Sequence, residues 1–185
     1  MPTDAVRPWL PDLRGADMTV TRLSDLLAAR PAVHTVARDA LRWHVQAGDD
    51  PILYRVDHDV LPPRGPWTAD RTTYGPGLLP AGAELVRSVG GWSPPTRLGL
   101  HQCLTGEIVL LTALPGDPAR TLRAQVCRAG DLAVVPPGAW HLTAVVDGPA
   151  EVFGVRVDVA PHRPQAPRRR RRCRSRPSPG WAGSC

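Results

Sequence analysis

The stretch GDLAVVPPGAWH, running from Gly130 to His141, decides how the rest of the chain is read. It contains a strand, a stop and a restart. Asp131 to Val135 is a short β-rich run bounded by a glycine turn. Pro136 and Pro137 end it, because neither can donate to a sheet ladder. Gly138 permits a tight reversal. The chain then re-enters a sheet at Trp140, which makes His141 the first inward residue after the turn. A turn of this kind aims an imidazole into the mouth of a barrel, where a metal ion or a polar ligand can sit.

The same texture extends outward from this stretch. Short β-rich runs separated by Pro/Gly turns are expected at 52–60, 71–75, 83–89, 98–104, 107–113, 121–127, 131–136, 140–146 and 151–159. Regular spacing of such runs predicts an all-β sandwich or barrel over residues 51–160. Thr105-Gly106 reads as a hairpin turn. Ahead of the barrel, residues 1–50 read as a lead-in with an irregular start. Thr21 to Arg30 is expected to form a short amphipathic helix on Leu23, Leu26 and Leu27, ended by Pro31. Residues 32–47 extend as a second helix with Val36, Ala40 and Trp43 on one face.

Charge separates the barrel from the C-terminal end of the chain. All 23 basic residues are Arg, for a net charge of +6. Eight of them lie in residues 161–185, so removing these from +6 leaves −2 for residues 1–160. A mildly acidic body has no nucleic-acid-binding face, and nucleic acid is not an expected partner. The Arg/Pro-rich segment 161–185 lacks large apolar residues and is expected to be a disordered tail. The chain lacks Lys and Asn altogether, so codon bias accounts for much of the Arg content. Cys103, Cys127, Cys173 and Cys185 form no CxxC pair and no disulfide framework. No apolar signal segment and no run of about 18 apolar residues is present, so a cytoplasmic location away from membranes is expected.

The block Gly130, five residues, Pro136-x-Gly138, two residues, His141 resembles the second conserved motif of the cupin superfamily. The segments ILYRVDHDV, AELVRSVGGW, HQCLTGEIVLL and VVPPGAWHLTAVVDG widen this to a resemblance with the archaeal-type cupin-fold glucose-6-phosphate isomerases. The resemblance implies a double-stranded β-helix, or jelly roll, and a metal-dependent sugar-phosphate isomerase. It also implies a homodimer. The first metal motif of the family is degenerate here. Its two His positions and its Glu position fall on Gly91, Ser93 and Gly99, with Ser88 in the Thr position and Gly90 kept. The usual Asn after the motif His is Val145.

A relocated site is therefore expected. Alternation along a strand places Gly99, His101 and Cys103 on one face. His101, His141 and Cys103 are the candidate ligands for one divalent transition metal, Zn, Fe or Mn, with a metal-free barrel as the alternative. Glu107 is excluded, because a hairpin at Thr105-Gly106 puts it roughly 10 Å along the strands from His101. His141 and His101 are also the candidates for moving a proton between adjacent carbons of a sugar phosphate. Ser88, Trp92 and Thr143 are the candidates for contact with the substrate. The alternative function is a non-catalytic cupin that holds a small molecule in a degenerate, metal-free barrel.

Overall fold

The structure is a computed structural model and describes residues 17–29, 37–62, 65–80, 82, 84–116 and 121–159. The expected irregular start, the 161–185 tail, and the expected helical positions Arg30 and 32–36 lie outside these residues.

Ten elements succeed one another along the chain. They are β1 (Asp17–Arg22), α1 (Leu23–Ala28), α2 (Arg38–Gln46), β2 (Ile52–His58), β3 (Trp67–Tyr74), β4 (Gly91–Trp92), β5 (Arg97–Ala113), β6 (Leu122–Arg128), β7 (Leu132–Val135) and β8 (Trp140–Asp158). Among the described residues the strand pairings are antiparallel. The all-β class read from the sequence is the class observed. No described helix is long and apolar enough to cross a membrane.

Two long strands organise everything else. β5 and β8 pair along their full lengths, from Arg97↔Asp158 to Ala113↔Trp140. Their register slips only between Cys103 and Ile108. The residues expected to form a hairpin turn are therefore a bulge inside one 17-residue strand. Gly106 sits there at φ +75°, and a Cβ on it would lie 2.7 Å from the Pro149 carbonyl oxygen. A bulge needs the same left-handed glycine that a turn needs, so the two look alike in sequence. The bulge divides the ribbon into two halves. In one half the order is β1-β2-β3-β8-β5 with β7 on the far side of β5; in the other it is β4-β8-β5-β6.

Inner-face residues from both halves meet in one core. Cys103, Ala133, Val135 and Val152 from the first half pack in the same buried cluster as Ile108, Leu110, Cys127 and Val145 from the second. The sheet is thus folded over on itself into two facing layers. Leu23, Leu26 and Leu41 of the helices join that cluster. The outer face of the first half is also apolar. Ala69 and Val155 sit there beside Leu61, Pro62 and Trp67 in an open groove of about 520 Å³.

The helical segment is shorter than expected. Thr21 and Arg22 belong to β1, where Thr21 pairs with Tyr54, and the β-branched run Thr19 to Thr21 favours that strand. Asp25 accepts from the Arg22 backbone N–H at 2.8 Å and closes the start of α1. In α2 the buried residue is Leu41, with Val45 packed against the core one turn on, while Trp43 is 64% exposed. The expected face through Ala40 and Trp43 points outward instead. Residues 84–89, expected within a strand, form only isolated bridges: Leu85 with Leu78 and Arg87 with Ala144.

Candidate functional site

Alternate residues on the strands of the two layers face a cavity of about 280 Å³. β2 contributes Tyr54, Val56 and His58; β3 contributes Asp70, Thr72 and Tyr74; β8 contributes Val152, Gly154 and Arg156. Each set follows the two-residue period of a strand. His101 of β5, with His141 and Thr143 from the other half of β8, closes the far side beside Ser88.

His141 is placed by the Pro136–Ala139 corner. The Ala139 N–H donates to the Pro136 carbonyl at 3.1 Å, the Gly138 N–H to the Pro94 carbonyl at 3.1 Å, and the Ser93 N–H to the Ala139 carbonyl at 2.8 Å. These bonds staple the corner to the preceding loop, and Gly91 pairs directly with His141. His101 comes from the other layer. The two imidazole centroids are 5.7 Å apart with planes at 88°, an edge-to-face pair. Gly99 makes room for this: a Cβ there would meet Val135 Cβ at 3.2 Å and His101 Nε2 at 3.6 Å. Opposite His101, Gly154 leaves the floor open.

Both imidazoles are neutral at pH 7. Burial pushes His101 down to about 4, with the nearby His141 and Arg156 adding to the effect. Burial also lowers His141, opposed in part by the Ala139 backbone. His101 Nδ1 and Arg156 Nε are buried without a hydrogen-bond partner, and the His141 ring has the Ala139 backbone beside it. Buried polar atoms are ordinarily satisfied, so these two nitrogens are open to a water or to a polar group of a ligand. On the opposite wall, burial raises the Tyr74 phenol, while hydrogen bonds to Thr143 and Ser88 oppose that shift. Ser88 is itself clamped, its N–H donating to the Thr143 carbonyl at 2.8 Å and its Oγ accepting from the Thr143 N–H at 3.0 Å.

The charged groups sit at one end. Asp70 Oδ2 accepts from Arg156 Nη2 in a tight ion pair. Asp70 Oδ1 lies 3.5 Å from His58 Nδ1 and accepts from the Asp59 N–H at 3.2 Å. Thr19 Oγ1 holds the other side of His58 at 3.0 Å.

Of the expected site residues, His101, His141, Ser88 and Thr143 therefore share one cavity. Cys103 does not join them. It is fully buried in the core near the bulge, its thiol donates to the Thr105 carbonyl at 3.4 Å, and burial raises it to about 11. A thiol in that state is a small hydrophobe rather than a ligand. Trp92 is 63% exposed beside Trp140 and lines no part of the cavity. Glu107 is engaged by Arg128 at 2.9 Å. Among the described residues no three His, Cys, Asp or Glu side chains come together to hold one ion. Two imidazoles with an Asp70 already committed to Arg156 do not fit the metal centre that the cupin resemblance implies. Asp70, Arg156, His58 and the two tyrosines are further lining residues; alternation groups 54/56/58 and 70/72/74 on single faces without saying which face is inside.

No protein-family model matches the chain. No curated protein matches it either. Solved structures similar to it include an oxalate oxidase in complex with the substrate analogue glycolate, at 19% identity and TM-score 0.42 over 51% of this chain. That match spans 42% of the oxalate oxidase chain. KdgF from Halomonas sp. aligns at 9% identity and TM-score 0.43, over 58% of this chain and 82% of its own. An RmlC-like cupin from Shewanella frigidimarina aligns at 14% identity and TM-score 0.40, over 60% of this chain and 79% of its own.

Proposed function

We propose that this chain is a cupin-type barrel whose cavity binds a small, oxygen-rich organic molecule through its own side chains, without a protein-held metal. The observation that carries this reading is the pair of buried, unpartnered nitrogens on His101 and Arg156, with the His141 imidazole beside them in one cavity. A neutral imidazole presents one donor and one acceptor, which suits hydroxyl groups that do the same. The volume of about 280 Å³ holds roughly nine waters, so the ligand is smaller than a typical drug. The test is a calorimetric titration of the full chain with D-glucose, D-mannose and myo-inositol, alongside a His141→Phe variant. Saturable binding by the wild type that the variant loses supports the proposal. Absence of binding by every neutral compound, with no rise in melting temperature, contradicts it.

The sugar-phosphate isomerase implied by the resemblance is the second reading. Its supporting observation is the edge-to-face pair of imidazoles that together line the cavity. A His101 near 4 is a weak base at pH 7, which counts against it. Conversion of glucose 6-phosphate to fructose 6-phosphate, assayed with and without added Zn, Fe or Mn, separates the two readings. Activity that requires the metal and His141 would establish the isomerase.

A further inference from the structure

We propose that Asp70 sets the charge class of ligand that the cavity accepts, by neutralising the Arg156 guanidinium through its Nη2 and so reserving the site for neutral, hydroxyl-bearing molecules. This rests on the reading that the cavity is a binding site and names the chemistry it selects. Arg156 is the described guanidinium that lines the cavity, and its side chain is 38% exposed. A free guanidinium in such a place is a strong receptor for phosphate or carboxylate, because its planar fork matches those groups. Here one arm of the fork, Nη2, is held by Asp70 Oδ2, which neutralises the guanidinium, while Nε has no partner. Asp70 is 13% exposed and is gripped by Arg156, the Asp59 N–H and His58, so its carboxylate is fixed in place.

The remaining lining groups leave an anion without compensation. Apart from His58, which lies against Asp70 Oδ1 at 3.5 Å, the other polar lining groups are Tyr54, Thr72, Tyr74, Ser88, Thr143 and the two neutral imidazoles, all uncharged. An anion entering beside Asp70 would lose hydration and meet a carboxylate of its own sign. A neutral polyol meets a different site. Its hydroxyls can donate to Asp70, accept from Arg156 Nε, and exchange donor and acceptor roles with His101 and His141. The Asp70–Arg156 pair thus acts as a selectivity filter whose positive member is kept in reserve.

Removing the carboxylate charge should release that reserve. In Asp70→Asn the shape is retained and Arg156 loses its counter-ion. Inorganic phosphate serves as the probe, titrated by calorimetry at constant ionic strength against wild type, Asp70→Asn and the Asp70→Asn/Arg156→Met double variant. The expected result is no saturable phosphate binding by the wild type, a gain of about tenfold or more in Asp70→Asn, and loss of that gain in the double variant. Equal phosphate affinity in wild type and Asp70→Asn, or none in either, overturns the proposal. Asp70→Ser replaces Asp70→Asn if thermal melting shows the latter unfolded. A gain of phosphate binding without any neutral-sugar binding by the wild type would leave the Asp70 assignment standing and sink the binding function alone.

Discussion

Tyr74 shows how a single side chain joins the two layers of the barrel. Its ring is buried in the core, and its hydroxyl reaches Thr143 and Ser88 on the opposite side of the cavity. Tyr74→Phe removes the hydroxyl and leaves those two partners to be satisfied elsewhere. A loss of about 1–2 kcal/mol in urea denaturation is expected, and an unchanged midpoint would show that the bond contributes nothing. At this scale the sequence was legible where backbone chemistry forces a direction. Pro136, Pro137 and Gly138 aim His141, and strand alternation carries His101 to the same cavity. Asp70 and Arg156 were not legible. The neighbours Arg71 and Thr73 face the other side of β3 and are just as polar, so alternation alone does not say which face is inside. Cys103 faces inward on the face of Gly99 and His101, as alternation predicts, but lies two residues further along β5 in the packed core, its thiol donating to the bulge carbonyls of Thr105 and Gly106.

The elements were legible as segments and misread at their joins. Thr105-Gly106 and Asp147-Gly148-Pro149 carry turn residues, yet β5 and β8 run through both. Nothing local distinguishes a bend shared by two paired strands from a reversal of one; the distinction lies in the long-range pairing of β5 with β8. Gly106 and Gly116 separate the two demands on such a glycine. Both have positive φ, at +75° and +74°, but only a Cβ at 106 meets neighbouring atoms, the Pro149 oxygen at 2.7 Å and Ala150 Cβ at 2.9 Å. Gly116→Ala is expected to cost about 1 kcal/mol through backbone strain alone, and Gly106→Ala about 2–4 kcal/mol. Equal costs in chemical denaturation would mean that the close approach of the two strands at the bulge is not tight.

For the whole molecule, the cavity links stability to pH. The folded state depresses His101 from 6.5 to about 4 and lowers His141 as well, so the unfolded chain binds protons that the folded chain refuses. Stability is therefore highest above pH 6.5 and falls as pH drops toward 4. His101 alone accounts for at most about 3 kcal/mol of that loss. His101→Gln is expected to flatten the pH dependence of the denaturation midpoint between those limits, and an unaltered slope would show that the imidazole is not buried. The all-β class was readable from the spacing of short strands. The convergence of two neutral imidazoles from separate layers was not, since it depends on how the sheet folds over at its bulge.

The most direct measurement is nitrogen-15 NMR of the histidine side chains at pH 7, before and during titration with a neutral monosaccharide. His101 and His141 should give neutral-imidazole signals, and both should shift with saturation while His44, on α2 outside the cavity, moves less. Protonated signals for the pair, or shifts induced only by phosphate or by metal ions, would contradict a neutral cavity built to bind a neutral ligand.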